Sequence, residues 1–150
     1  MPLPAWIPPS TASTRNIPST TSLPLVFSDD TSTGTTVTLQ GTGLDVQCGD
    51  SVTYEADNPS IVYRWRVPAA GTYRFSTCDN ADFDTQIVVF DANNGGTPQC
   101  IAGQDDNGSC TNSLTTEFEA DLMACQTVYV AVFGYLDSEG PYTLTISEVV

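Results

Sequence analysis

From Leu25 to the end of the chain, apolar residues recur with period two in short runs, and no segment carries the period of an amphipathic helix. Ile61, Tyr63, Trp65 and Val67 alternate with Val62, Arg64 and Arg66 in the cleanest run. Val37 and Leu39 alternate with Thr36, Thr38 and Gln40, and Tyr73 and Phe75 follow an Ala-Ala-Gly turn. Residues 86–90 read as the core of a buried strand. Thr116, Phe118 and Ala120 share one face, and Val128, Val130 and Val132 alternate with Tyr129, Ala131 and Phe133. Tyr142, Leu144 and Ile146 close the series. Turn signals separate the runs: Asp57-Asn58-Pro59, Asn93-Asn94-Gly95-Gly96, Asp106-Asn107-Gly108 and Ser138-Glu139-Gly140-Pro141. Short strands at regular spacing with no helices predict an antiparallel β-sandwich over residues 25–150. Trp65 is expected in its core, and Arg64 and Arg66 on its surface beside carboxylates.

Residues 1–24 differ from the rest. They hold six of the ten prolines, and residues 10–22 contain eight Ser or Thr. Proline removes backbone donors, so the segment favours an extended form over helix or central strand. A bare tether gains nothing from large apolar side chains, yet Leu3, Trp6, Ile7, Ile17 and Leu23 punctuate this one. Two readings stand side by side: a linker, or an arm that docks on a neighbouring copy.

Charge narrows the function classes. The chain has 18 Asp and Glu against four arginines, a net charge of −14, with no lysine and no histidine. Residues 1–24 carry +1 and the remainder −15, three arginines against 18 acids. No basic face can form to neutralise phosphates, which excludes nucleic acid as a partner. Nucleophile systems that need histidine are excluded, as are histidine-based zinc sites. No apolar run is long enough to span a membrane as a helix.

Five cysteines, Cys48, Cys78, Cys100, Cys110 and Cys125, include no CxxC pair, so disulfides and an oxidising, extracellular compartment are expected. Cys100 and Cys110 flank a polar, Gly-rich loop and are the favoured bridge; one cysteine is left over. The opening Met1-Pro2-Leu3-Pro4 lacks the basic and apolar regions of a secretory signal, which suggests an excised chain. Asn107-Gly108-Ser109 is the intact N-glycosylation sequon, while proline blocks Asn58-Pro59-Ser60.

Asp79, Asp82 and Asp84 crowd before one strand, and Asp105, Asp106 and Asn107 share one loop. Clustered carboxylates repel unless a cation or a proton intervenes. Calcium takes six to eight oxygens of this kind, which makes Asp82, Asp84, Asp105 and Asp106 a candidate calcium set. The competing reading is that Asp and Asn are simply good turn formers. Two carboxylates also suffice for glycoside hydrolysis, but no distinctive pair stands out, and no enzymatic activity is expected.

The stretch from Thr72 to Thr145 carries a family likeness. Gly71-Thr72-Tyr73-Arg74-Phe75 precedes Phe83-Asp84-Thr85 with its apolar strand, then the Asp105-Asp106 loop. A strand holding Tyr129 and Tyr135 follows, and Gly140-Pro141-Tyr142-Thr143-Leu144-Thr145 ends the series. This order resembles the bacterial pre-peptidase C-terminal domain family and its cysteine-containing extracellular relatives. The resemblance covers roughly residues 46–146 and departs in its added cysteines and in lacking an attached peptidase. It implies a jelly-roll-like sandwich without catalysis, in a family some of whose members bind calcium, matrix polymers or polysaccharide. Asp84, Asp105 and Asp106 match the family's positions.

Two functions are therefore expected to compete. One is an extracellular or cell-surface structural protein whose copies are joined, even into a filament, through residues 1–24. The other is an accessory module that anchors a secreted hydrolase to an extracellular polysaccharide or matrix polymer, with calcium as its candidate cofactor.

Overall fold

The structure, a computed structural model, describes residues 14–18, 21–33, 35–36, 46–48, 52–54, 59–91, 99–104, 110–134 and 138–149. The first strands are β1 (Thr14–Asn16), β2 (Leu25–Asp30), β3 (Thr35–Thr36), β4 (Val46–Cys48), β5 (Val52–Tyr54) and β6 (Pro59–Arg66), of which β6 is the run of cleanest alternation. These are followed by β7 (Gly71–Ser76), β8 (Thr85–Asp91), β9 (Gln99–Gln104), β10 (Glu117–Leu122), β11 (Thr127–Gly134) and β12 (Pro141–Glu148). The predicted run at Val37 and Leu39 lies outside the described residues.

Two sheets face each other. The first runs β1-β6-β11-β8-β9, with β3 also on β6; the second runs β10-β7-β12-β2. β4 and β5 form a separate hairpin that lies against β8 and β9. From β6 onward the chain passes between the sheets repeatedly, which gives the antiparallel sandwich that the pattern predicts, in the jelly-roll-like form that the resemblance implies. β1 departs from this rule, pairing parallel to β6.

The inner face of the first sheet presents Ile61, Tyr63, Trp65, Ile87, Val89, Val128, Val130 and Val132. Tyr73, Phe75, Leu144 and Ile146 meet them from the second sheet. Trp65 sits edge-on to Tyr73, with centroids 5.1 Å apart, and Phe75 stacks on Phe118 at 5.4 Å. Burying one such side chain stabilises the fold by about 1.5–3 kcal/mol.

Alternation predicts a solvated outer face for the first sheet. The structure differs there. Val62, Val88, Phe90, Ala131 and Phe133 point away from the second sheet, yet each is 0% exposed. Arg64 and Arg66, toward the end of β6, keep the expected character and are exposed. The centre of the first sheet is thus buried on both sides. At the end of β11 the backbone passes so close to Ser138 that a Cβ on Gly134 would overlap the Ser138 carbonyl.

Candidate functional site

Residues 14–17 of the N-terminal segment are part of the sandwich. Thr14, Arg15 and Asn16 stand opposite Val62, Tyr63 and Arg64 in register. The Ile17 amide continues the ladder, donating to the Arg64 carbonyl at 2.9 Å. The Ile17 side chain enters the hydrophobic core at 8% exposure, and Leu23 packs against that core. From sequence, Ile17 and Leu23 are open to either a linker or an arm docked on a neighbouring copy. Extended geometry is retained, but the chain's own core takes the apolar groups, because β6 has an open edge there. Leu3, Trp6 and Ile7 lie outside the described residues.

A polar cluster anchors this edge between the sheets. Arg15 Nη2 lies 3.3 Å from Asp29 Oδ1. The Tyr63 hydroxyl donates to Asp29 Oδ2 at 2.6 Å and stands 2.7 Å from the Tyr142 hydroxyl. Tyr63 has one proton to give, so Tyr142 is the donor in that second bond. Phe27 stacks on the Tyr63 ring at 4.9 Å. Burial, then the neighbouring Tyr142 and the bond to Asp29, push the Tyr63 hydroxyl far above the ordinary phenol range. Burial pushes Tyr142 up as well, and its contact with Tyr63 offsets only part of this. Neither tyrosine is therefore a proton donor or nucleophile near neutrality. Sequence reasoning placed Tyr63 and Tyr142 on core faces but did not join them to Asp29; the missed signal is that a buried tyrosine hydroxyl needs a partner.

Beyond Asp29 opens a groove of about 710 Å³ lined in part by Asp29, Asp30, Asp79, Asp82, Tyr142 and Thr143. Two of its carboxylates, Asp30 and Asp79, hold backbone amides. Asp30 accepts from the Ser32 amide at 2.9 Å and the Ser32 hydroxyl at 2.6 Å. Asp79, in the left-handed region with φ 60°, accepts from the amides of Thr111 and Asn112 at 3.3 and 2.5 Å. Asp82 is exposed at the rim.

Of the candidate calcium ligands, Asp82 and Asp84 stand just before β8, with Asp84 Oδ1 buried. Asp105 and Asp106 lie outside the described residues, as does the sequon residue Asn107. Among the described residues, no three metal-ligating side chains gather.

The cysteine pairing is corrected. Cys110 bonds to Cys78, with Cα atoms 5.3 Å apart, and not to Cys100. The turn after β7 holds the 110–116 loop through the Thr77 amide on the Thr116 carbonyl and the Asp79 amide on Thr115 Oγ1, both at 2.9 Å. That contact carries Cys110 to Cys78, while Cys100 stands in β9 opposite Phe90 of β8. Cys125 is an exposed free thiol.

No family model matches this chain, and no curated protein does. Among solved structures, the chain is similar to the crystal structure of Aeromonas hydrophila PliG, a periplasmic lysozyme inhibitor of g-type lysozyme. The two share 13% identity over 90% of this chain and 96% of that one, with a TM-score of 0.46. A likeness at that level transfers no function.

Proposed function

We propose that this chain is a non-catalytic extracellular β-sandwich subunit of the pre-peptidase C-terminal type, joined to neighbouring copies through its N-terminal segment. The observation that carries this reading is the pairing of Thr14–Asn16 as an added strand on the edge of β6. An extended segment that adds a strand to an open edge is a recurrent way of joining chains. The Cys78–Cys110 bridge supports an oxidising compartment. The absence of histidine and lysine from the sequence, and the use of groove carboxylates as turn anchors, support a role without catalysis.

Light scattering of the full chain, beside a chain lacking residues 1–24, tests the reading. The expected result is a concentration-dependent assembly that the truncation abolishes. A β-sheet circular dichroism spectrum of the truncated chain separates loss of assembly from loss of fold. A full chain that stays monomeric at every concentration overturns the reading. The alternative is a calcium-dependent polymer-binding module, which the placing of Asp82 and Asp84 together just before β8 supports. A rise in melting temperature with calcium that Asp84→Asn abolishes is the outcome it requires.

A further inference from the structure

We propose that the surface receiving the N-terminal segment is the β6 edge with its Asp29 anchor, and that residues 14–17 of one copy occupy it on a second copy in place of that copy's own strand. This inference rests on the assembly reading above and names its acceptor.

The acceptor is built from downstream residues alone. Its backbone rail is the edge of β6 at Val62, Tyr63 and Arg64. Its polar anchor is the Asp29 carboxylate, fixed by the Tyr63 hydroxyl. Its apolar part is the core margin that Ile17 enters. The donor supplies a matching set in four consecutive residues: a strand, a cation at Arg15 and an apolar knob at Ile17. Nothing in these contacts requires donor and acceptor to share a chain, which is the condition for exchange of a segment between copies.

The slot is also bounded. β3 already pairs with β6 at Pro59 and Ser60. The parallel ladder of β1 therefore has no room to extend toward the start of β6, and the edge accepts a segment of about this size. The tether is long enough for exchange. Five residues, 18–22, separate Ile17 from Leu23, the next side chain packed on the core, and five extended residues span up to roughly 17 Å. Facing sheets stand about 10 Å apart, so the connection has slack, and exchange requires the second copy to lie directly against this edge.

Charge does not itself select a second copy: the Arg15–Asp29 pair is the same whichever chain supplies Arg15, and two bodies of −15 repel. Reciprocal exchange gives a closed pair and one-way exchange gives a chain. Both make the same contact between Asn16 of one copy and Arg64 of the next.

That contact is the readout. Asn16 and Arg64 are exposed and stand in register, so cysteine at either site leaves the core untouched. In a Cys125→Ser background, an Asn16→Cys chain and an Arg64→Cys chain are mixed, warmed below the unfolding transition and mildly oxidised. The expected result is a disulfide-linked mixed dimer, above the level either variant gives alone, that grows with concentration. Asp29→Arg on the Arg64→Cys chain should reduce it several-fold. An Asn16→Cys/Arg64→Cys chain on its own shows that the geometry closes. Internal closure of that chain with no mixed dimer overturns the inference. If the wild-type chain still assembles through residues 1–24, only the acceptor assigned here is wrong; if it stays monomeric, the assembly reading falls with it.

Discussion

Tyr63 and Asp29 are joined across the sandwich: the hydroxyl of an inward-facing residue of β6 donates to the carboxylate of a β2 residue at 2.6 Å. Tyr142 of β12 donates in turn to Tyr63, so three strands share one chain of bonds at the edge where β1 docks. A hydrogen bond to a charged group contributes about 1.5–3 kcal/mol, and a neutral one about 0.5–1.5. Tyr63→Phe should therefore lower unfolding stability by about 2 kcal/mol, and Tyr142→Phe by about half that. Urea denaturation at neutral pH measures both; equal, negligible losses would show that the relay contributes nothing.

The same pair sets the alkaline limit. Both hydroxyls are pushed above the ordinary phenol range, chiefly by burial, whereas in the unfolded chain tyrosine titrates near pH 10. Above about pH 10 the native state therefore holds protons that the unfolded state loses, and stability falls as pH rises. Below that value the contribution is complete and flat. Each tyrosine adds a slope of about 1.4 kcal/mol per pH unit. Urea midpoints should hold constant up to about pH 9 and drop steeply beyond about 10, with part of the tyrosinate absorbance appearing only on unfolding. A midpoint that stays level past roughly pH 11 would contradict this.

Much of the sandwich was legible because one physical rule, alternation against a buried face, governs β6, β7, β11 and β12. The rule has no means of reporting a second cover. Val62, Ala131 and Phe133 occupy the alternate positions and are buried all the same. Ile17 was legible as an apolar residue out of place in a tether, but three residues of strand followed by Pro18 give no clue to which copy's edge they join. Asp79 read as one of a carboxylate cluster. Its task is to hold the Thr111 and Asn112 amides from a left-handed backbone position, a contact between segments 32 and 33 residues apart. The same fold-back decides the cysteine pairing, which loop composition alone could not.

The doubly buried sheet has its own test. Phe133 on its outer face and Phe75 on the inner face of the second sheet are both 0% exposed. Phe→Ala in a packed core costs about 3–5 kcal/mol. Phe133→Ala should cost as much as Phe75→Ala in chemical denaturation. A loss below about 1 kcal/mol for Phe133→Ala would mean that its cover yields without cost.

The Cys78–Cys110 bridge closes a loop across a sequence separation of 32. A closure of that size restricts the unfolded chain by about 3–4 kcal/mol in the chain-entropy model. Cys78→Ser/Cys110→Ser should lose most of this, and peptide mapping of the oxidised protein should recover Cys78 joined to Cys110. Recovery of Cys100 joined to Cys110 would reinstate the pairing that loop composition suggests.

Membership of the N-terminal strand in the sandwich can be separated from its charge anchor. Ile17 is 8% exposed within the core, and truncating a buried isoleucine costs about 2–5 kcal/mol. A site at the sheet margin collapses more easily than one at the centre, so Ile17→Ala should fall near the low end, about 2 kcal/mol. The Arg15–Asp29 pair is partly open to solvent, with side chains 34% and 20% exposed, and pairs of that kind contribute about 0–1 kcal/mol. Arg15→Ala should therefore barely move the urea midpoint, and raising the salt concentration should weaken what effect it has. If Ile17→Ala is also silent, the segment lies on the sandwich without stabilising it. A loss of about 2 kcal/mol, with Arg15→Ala nearly neutral, would make the apolar knob the main hold and the ion pair a guide to register.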